Sequence, residues 1–179
     1  MTQLYRIHKK IIKLRWIDVN KMDAENPMIR SRIVAKEYND HVDPNLFAST
    51  PPIEALRFIL SKAATNSDCK KVVMLNDVSR AFFNARVTRE VYVQLPQEDI
   101  GPGEKDMVGK LNLCLYGTRD AAMNWQECVA EHLGKIGFRR GKAYPSLYLT
   151  RTSTSTRSCM GMTTSALGVR PISHGCRRS

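Results

Sequence analysis

This sequence predicts an α+β fold, and three observations carry the prediction. Residues 14 to 36 alternate apolar and polar side chains in two runs, LRWIDVN and MIRSRIVAK, around the turn-forming DAENP, as an antiparallel hairpin does. Two longer stretches, from Ile53 and from about Arg119, repeat apolar positions at the helical period. Between them KKVVML, two lysines followed by the apolar run VVML, suits a fully buried strand.

The elements follow in order. Residues 1–15 carry five cations and no acid, a basic N-terminal arm or short helix. In the second strand of the hairpin Arg30, Arg32 and Lys36 share one face at period two, with Val34 between them. After the loop NDHVDPN, Pro51 and Pro52 open a helix with Ile53, Leu56, Ile59, Leu60 and Ala63 on its stripe and Glu54 in its first turn, ending near Thr65-Asn66-Ser67. KKVVML then delivers Asp77 to the C-terminal edge of its strand. EVYVQLP is a short strand closed by Pro96, and EDIGPGEKD is a polar loop. Ala121, Ala122, Trp125, Cys128, Val129, His132, Leu133 and Ile136 mark a long amphipathic helix stopped around Gly137. Trp125 and His132, on that stripe, read as packed core. From residue 150 the character changes: residues 151–179 hold five arginines, many Ser and Thr, no acid and no periodicity, the composition of a disordered basic tail.

Composition narrows the function. The chain of 179 residues fits one domain with 42% hydrophobic residues. Twenty-eight Lys and Arg against 17 Asp and Glu leave a net charge of +11, which suits a polyanionic partner such as nucleic acid, or simply a basic soluble protein. The five cysteines lack metal-ligand spacing and form no obvious disulfide framework, so the setting expected is intracellular, cytoplasmic or nuclear. Nowhere do about 18 apolar residues run together, and the first residues lack the apolar core of a signal peptide, so no membrane partner is expected.

Candidate sites have two readings each. Asp77, just past a buried strand and followed by a small residue and aromatics, either ligates Mg²⁺ or caps a turn. The face of Arg30, Arg32 and Lys36 either grips phosphates or is solvated. In LYGTRDAAMNW, Gly117 permits close backbone approach, Arg119 supplies a cation and Asp120 stands as a helix cap.

The order of six blocks selects among these readings. SRIVAK, NDVSRAFFNA, EVYVQLPQ, LCLYGTRDAAMNW, IGF and SLYL together resemble the reverse transcriptase domain of copia-type long-terminal-repeat retrotransposons, whose more usual forms are ARLVAKG, DVKTAFLNG, IYMEQP, LYGLKQAPRAW, LGF and SLY. The resemblance covers residues 16–149. It implies a right-hand polymerase fingers and palm fragment, an antiparallel palm sheet packed on helices, acting on an RNA or DNA primer-template and deoxynucleotides by two-metal nucleotidyl transfer. It also implies that Asp77 binds two Mg²⁺ ions about 4 Å apart and that Val78 offers its carbonyl. By the same resemblance Phe82 blocks a ribose 2'-hydroxyl, Arg32 and Lys36 lie near the triphosphate or template, and Gly117 and Arg119 near nucleotide and primer.

Two departures stand out. Asp120 and Ala122 replace the usual Gln and Pro, and the second carboxylate pair expected on a hairpin after SLY is missing, because nothing after Leu149 is Asp or Glu. The codons explain how. Cys159 is TGY, Met160 ATG, Gly161 GGN, Met162 ATG and Thr163 ACN. Read from the last base of the Ser158 codon they give an apolar residue, His or Tyr, a forced Gly, a position that admits Asp, and a forced Asp. A sequence such as VHGDDYVSAG is thus permitted, and residues 150–179 are expected to be a frameshift product that stops short of the second half of the active site. Three functions remain: a retrotransposon reverse transcriptase fragment, inactive as it stands; a non-catalytic basic nucleic-acid-binding module; or an unstable product, since an exposed half-palm leaves sheet edges uncovered.

Overall fold

Backbone pairing begins earlier than a free basic arm allows. The computed structural model describes residues 10–38, 43–65, 71–104, 107–152, 157–162 and 166–171. The chain divides into two compact units, Met1–Phe47 with Arg80–Trp125, and Ala48–Ser79 with Gln126–Ser179.

In the first unit, β1 (Ile11–Ile12) runs parallel to β5 (Tyr92–Gln94), which pairs antiparallel with β6 (Val108–Lys110). Residues 10–12 are therefore part of the fold and not of a separate arm, because buried Ile12 needs the cover that β5 supplies. The expected hairpin is present as β2 (Leu14–Asn20) and β3 (Ile29–Ala35), with Trp16 opposite Ile33 and Ile17 opposite Arg32. Asn20 makes its turn: Oδ1 accepts from the N–H groups of Met22 and Met28, while Asp23 Oδ1 accepts from Asn26 N–H. Opposed residues share a face, so Leu14, Ile33 and Ala35 turn toward the core. Arg15, Arg30 and Arg32 lie together on the other face, among the aliphatic Ile17, Val19 and Val34. Ile12, Ala35, Val91, Val93 and Leu115 form the core of this unit.

In the second unit, α1 (Ile53–Ala64) buries Ile59 and packs beside β4 (Lys71–Asn76). The helix α2 (Ala121–Lys135) starts in the first unit and continues into the second. It stops as expected at Gly137, whose φ of 90° is open to glycine and whose N–H donates to Gly134 O, while Phe138 N–H donates to Leu133 O. His132 is exposed, contrary to the packed position expected of it; the apolar stripe at the end of α2 is open to solvent, as Ile136 also shows. Then follow β7 (Arg139–Arg140), β8 (Leu147–Thr152), β9 (Arg157–Met162) and β10 (Ala166–Pro171), in the sheet order β4-β10-β9-β8-β7, every pair antiparallel.

Two expectations change here. The tail read as disordered from residue 150 is strand at Leu147–Thr152, Arg157–Met162 and Ala166–Pro171. Pairing with β4 supplies what its composition lacks, since strand preference depends on neighbours more than on the residue itself. And β4, expected to be fully buried, is an edge strand whose Val73 is exposed. The rest of the tail lies outside the described residues.

Candidate functional site

The candidate metal-binding carboxylate, Asp77, stands just past the end of β4. Asp77 and Val78 follow Asn76 directly, and both are exposed. Asn76 pairs with Ala166 and Leu75 with Leu167, while Gly168 pairs with Gly161. The start of β10 therefore lies beside the end of β4 that leads into Asp77, with β9 on the far side of β10. The chain from Met162 to Ala166 reads MTTSA, without a carboxylate. Among the described residues no three His, Cys, Asp or Glu come together as a metal site. Two hard cations need several shared carboxylate oxygens, so one exposed carboxylate beside an alanine does not fit a two-metal centre.

The other expected site residues belong to the first unit. Ala35 N–H donates to Tyr116 O at 2.7 Å, which ties the end of β3 to the segment before Gly117. Gly117 has a φ of 86°, and a Cβ there would fall 2.0 Å from Ala35 O. No other residue can pass so close. Phe82 sits in a 3-10 turn, Ala81–Asn84, entered through Arg80 at a φ of 52°. Its ring lies 4.6 Å, centroid to centroid, from that of Tyr116, and Phe83 meets the same ring edge-on at 6.0 Å. Phe82, Gly117, Arg119 and Lys36 are thus gathered around the end of β3. Arg32 lies farther back on β3, and Arg30 farther still, opposite Val19 near the hairpin turn.

A polar network that the sequence did not reveal lies in the same unit. Arg89 Nη2 donates to Glu37 Oε2 at 2.6 Å and to Asp120 Oδ1 at 3.0 Å. Asp120, 1% exposed, also accepts from Asn124 Nδ2 at 3.0 Å. Asn124 Nδ2 reaches Cys114 Sγ at 3.4 Å, and Thr88 Oγ1 donates to Asn124 Oδ1 at 3.2 Å. Glu37 Oε2 accepts in addition from the backbone N–H of Arg119 at 2.9 Å. Burial works against the Arg89 charge, but its bonds to Glu37 and Asp120 outweigh it and hold the guanidinium above its ordinary range. The only hint in the sequence is that both acids directly follow cations, Lys36 and Arg119; partners 31 to 82 residues apart leave no local pattern.

Comparison with known proteins decides the family. The model of the family described as reverse transcriptase (RNA-dependent DNA polymerase) matches residues 4–164. This chain belongs to the reverse transcriptase family. Its resemblance to the copia-type group holds as well. It is 28% identical over 153 residues to the retrovirus-related Pol polyprotein from transposon RE1 of Arabidopsis thaliana, covering 83% of this chain and 10% of that protein. With the corresponding polyprotein from transposon TNT 1-94 of Nicotiana tabacum it shares 29% over 150 residues, 81% of this chain and 11% of the other. A shorter match, 34% over 77 residues, joins 43% of this chain to 25% of the putative transposon Ty5-1 protein YCL074W of Saccharomyces cerevisiae. This chain thus spans about a tenth of the length of the two plant relatives. No solved structure gives a significant match. The family generally uses divalent metal ions and nucleic acid substrates, and among the described residues no helix is long and apolar enough to cross a membrane.

Proposed function

We propose that this reverse transcriptase domain keeps a nucleic-acid-binding surface and has lost nucleotidyl transfer. In this reading the five-stranded antiparallel sheet is the palm, the β2–β3 ribbon belongs to the fingers, and the β9–β10 pair takes the place of the carboxylate hairpin. Asp77 and Val78 keep the position of ligands to Mg²⁺. Phe82, Gly117, Arg119, Arg32 and Lys36 keep the nucleotide side, and Arg30 extends the cationic face toward the primer-template. The proposed setting is inside a cell, cytoplasmic or nuclear.

The register of β4 against β10 carries the proposal. It sets Asn76 beside Ala166, and the residues that would supply the second carboxylates are Met, Thr and Ser. Asp77 alone gives too few hard oxygen ligands to place two cations on a primer hydroxyl and a triphosphate. The cationic ribbon needs no such convergence, because phosphate contacts contribute singly. A shift of frame in the stretch from residue 150 accounts for the loss: read from Ser158, the forced Gly and Asp fall at the end of β9. A non-catalytic binding module is the same protein seen from its remaining activity.

The test takes the purified 179-residue chain, a labelled primer-template, deoxynucleotides and Mg²⁺. Salt-sensitive binding without extension is expected. Template-dependent extension that vanishes in Asp77→Asn would falsify the loss of chemistry. A chain carrying the shifted reading from residue 158 is expected to regain extension, and genomic sequence across the codons for residues 145–179 shows whether that reading stays open.

A further inference from the structure

Glu37 stands where two segments of the proposed binding surface meet. Its side chain is 9% exposed, and a single oxygen, Oε2, accepts from Arg89 Nη2 and from the backbone N–H of Arg119. Arg89 carries the connection on to Asp120, at the start of α2, and Asp120 holds Asn124 one turn later. On the other side of the same junction Gly117 lies against Ala35 O too closely for any side chain. The segment 117–120 is therefore fastened to the end of β3 at two points, by backbone contact at Ala35 and by a buried carboxylate at Glu37. Lys36 sits between those points, and Arg119 is the residue whose amide is held.

The acids of this network are departures from the family form. Glu37 occupies the place of the Gly in ARLVAKG, Asp120 that of the Gln in LYGLKQAPRAW, and Asn124 that of an Ala in the same block. Unrelated losses have no reason to land in hydrogen-bonding distance of one another. A buried acid without a partner is costly, so Glu37 and Asp120 are tolerated because Arg89 satisfies both.

We propose that Glu37 is a positioning residue: through the Arg119 amide and Arg89 it holds the segment 117–120 in fixed register with Lys36, so that Lys36 and Arg119 meet phosphate as a pair. The inference rests on the nucleic-acid-binding reading for its consequence, and on local geometry for the lock itself.

Two readouts on the full chain separate these. The first is amide hydrogen exchange at Arg119 by NMR, in the wild type, Glu37→Ala and Glu37→Gln. Exchange is expected to quicken by about tenfold or more in Glu37→Ala, and to stay near wild type in Glu37→Gln, whose amide oxygen still accepts. The second is binding of a labelled primer-template. Glu37→Ala is expected to weaken it about tenfold, Glu37→Gln to restore most of the loss, and Glu37→Ala with Arg119→Ala to bind no worse than Arg119→Ala alone. Additive losses in the double variant overturn the positioning role and leave a structural one. Unchanged exchange at Arg119 in Glu37→Ala overturns the lock. If the wild-type chain binds no primer-template, the functional reading fails, while the exchange readout still decides the lock. If Glu37→Ala does not fold, Glu37→Gln and Asp120→Asn carry the exchange comparison: faster exchange confined to residues 117–124 in Asp120→Asn supports the lock, and uniform exchange overturns it.

Discussion

The unit that carries the cationic ribbon and the unit that carries Asp77 hold their candidate site residues in different ways. In the first, Glu37, Arg89, Asp120, Asn124 and Thr88 satisfy one another in a chain of hydrogen bonds, including acids that the usual family form lacks. In the second, Asp77 is exposed just past a strand end that pairs with Ala166, and the Tyr148 hydroxyl is buried without a hydrogen-bond partner among the described residues. On the proposed reading, the difference separates a function that tolerates substitution from one that does not. Binding to phosphate adds up from separate cations and persists when some contacts change. Two-metal chemistry needs several carboxylates converging within a few ångströms, and a single strand with the wrong residues removes it.

Substitutions test that contrast. Gly117→Ala is expected to destabilise the first unit by about 3 kcal/mol or more, because the new Cβ meets the Ala35 carbonyl and the positive φ is strained as well. Gly103→Ala, also at positive φ but in open space, is expected to lose only about 1 kcal/mol. Urea titration of both gives the comparison, and equal losses would mean that the contact with β3 does not matter.

The two aspartates come next. Asp120→Ala leaves Arg89 and Asn124 short of a buried acceptor and is expected to cost about 2 kcal/mol, a buried-pair value reduced because the Arg89 side chain is 40% exposed. Asp77→Ala is expected to change stability by no more than about 0.5 kcal/mol, since its side chain is exposed. A large loss at Asp77 would place it in the structure of the second unit and end the contrast.

Tyr148 tests the second unit from its interior. Removing an unsatisfied buried hydroxyl in Tyr148→Phe is expected to stabilise by roughly 1 kcal/mol. Burial, the chief cause, raises the phenol above its ordinary pKa of about 10. Below that pH both folded and unfolded states are neutral there. As pH rises past it the unfolded phenol ionises first, so stability falls with increasing pH. Tyr148→Phe should lack that alkaline loss, and a parallel decline in both proteins, followed by circular dichroism, would assign it to other groups.

Much of this was legible because it is local. The alternation of residues 14–36 and the glycine stop of α2 each follow from neighbours within one turn or one strand pair. The end of a strand at Asp77 was legible for the same reason. His132 was misread because helical spacing shows which residues share a face and not whether that face is covered. The tail was misread because its Ser, Thr and Arg residues carry no period, while Arg157–Met162 and Ala166–Pro171 become strands only against β8 and β4.

By itself, then, the sequence determined the hairpin, the two helices, the reverse transcriptase family and the absence of acids after Leu149, all properties of residue order. Tertiary structure alone decided that the acid-free β10 pairs with the end of β4 that leads into Asp77, and that Glu37, Arg89 and Asp120 share one charge cluster. Both depend on contacts between residues 31 to about 90 positions apart, which no local preference encodes and only the pairing of strands and the desolvation of charge select.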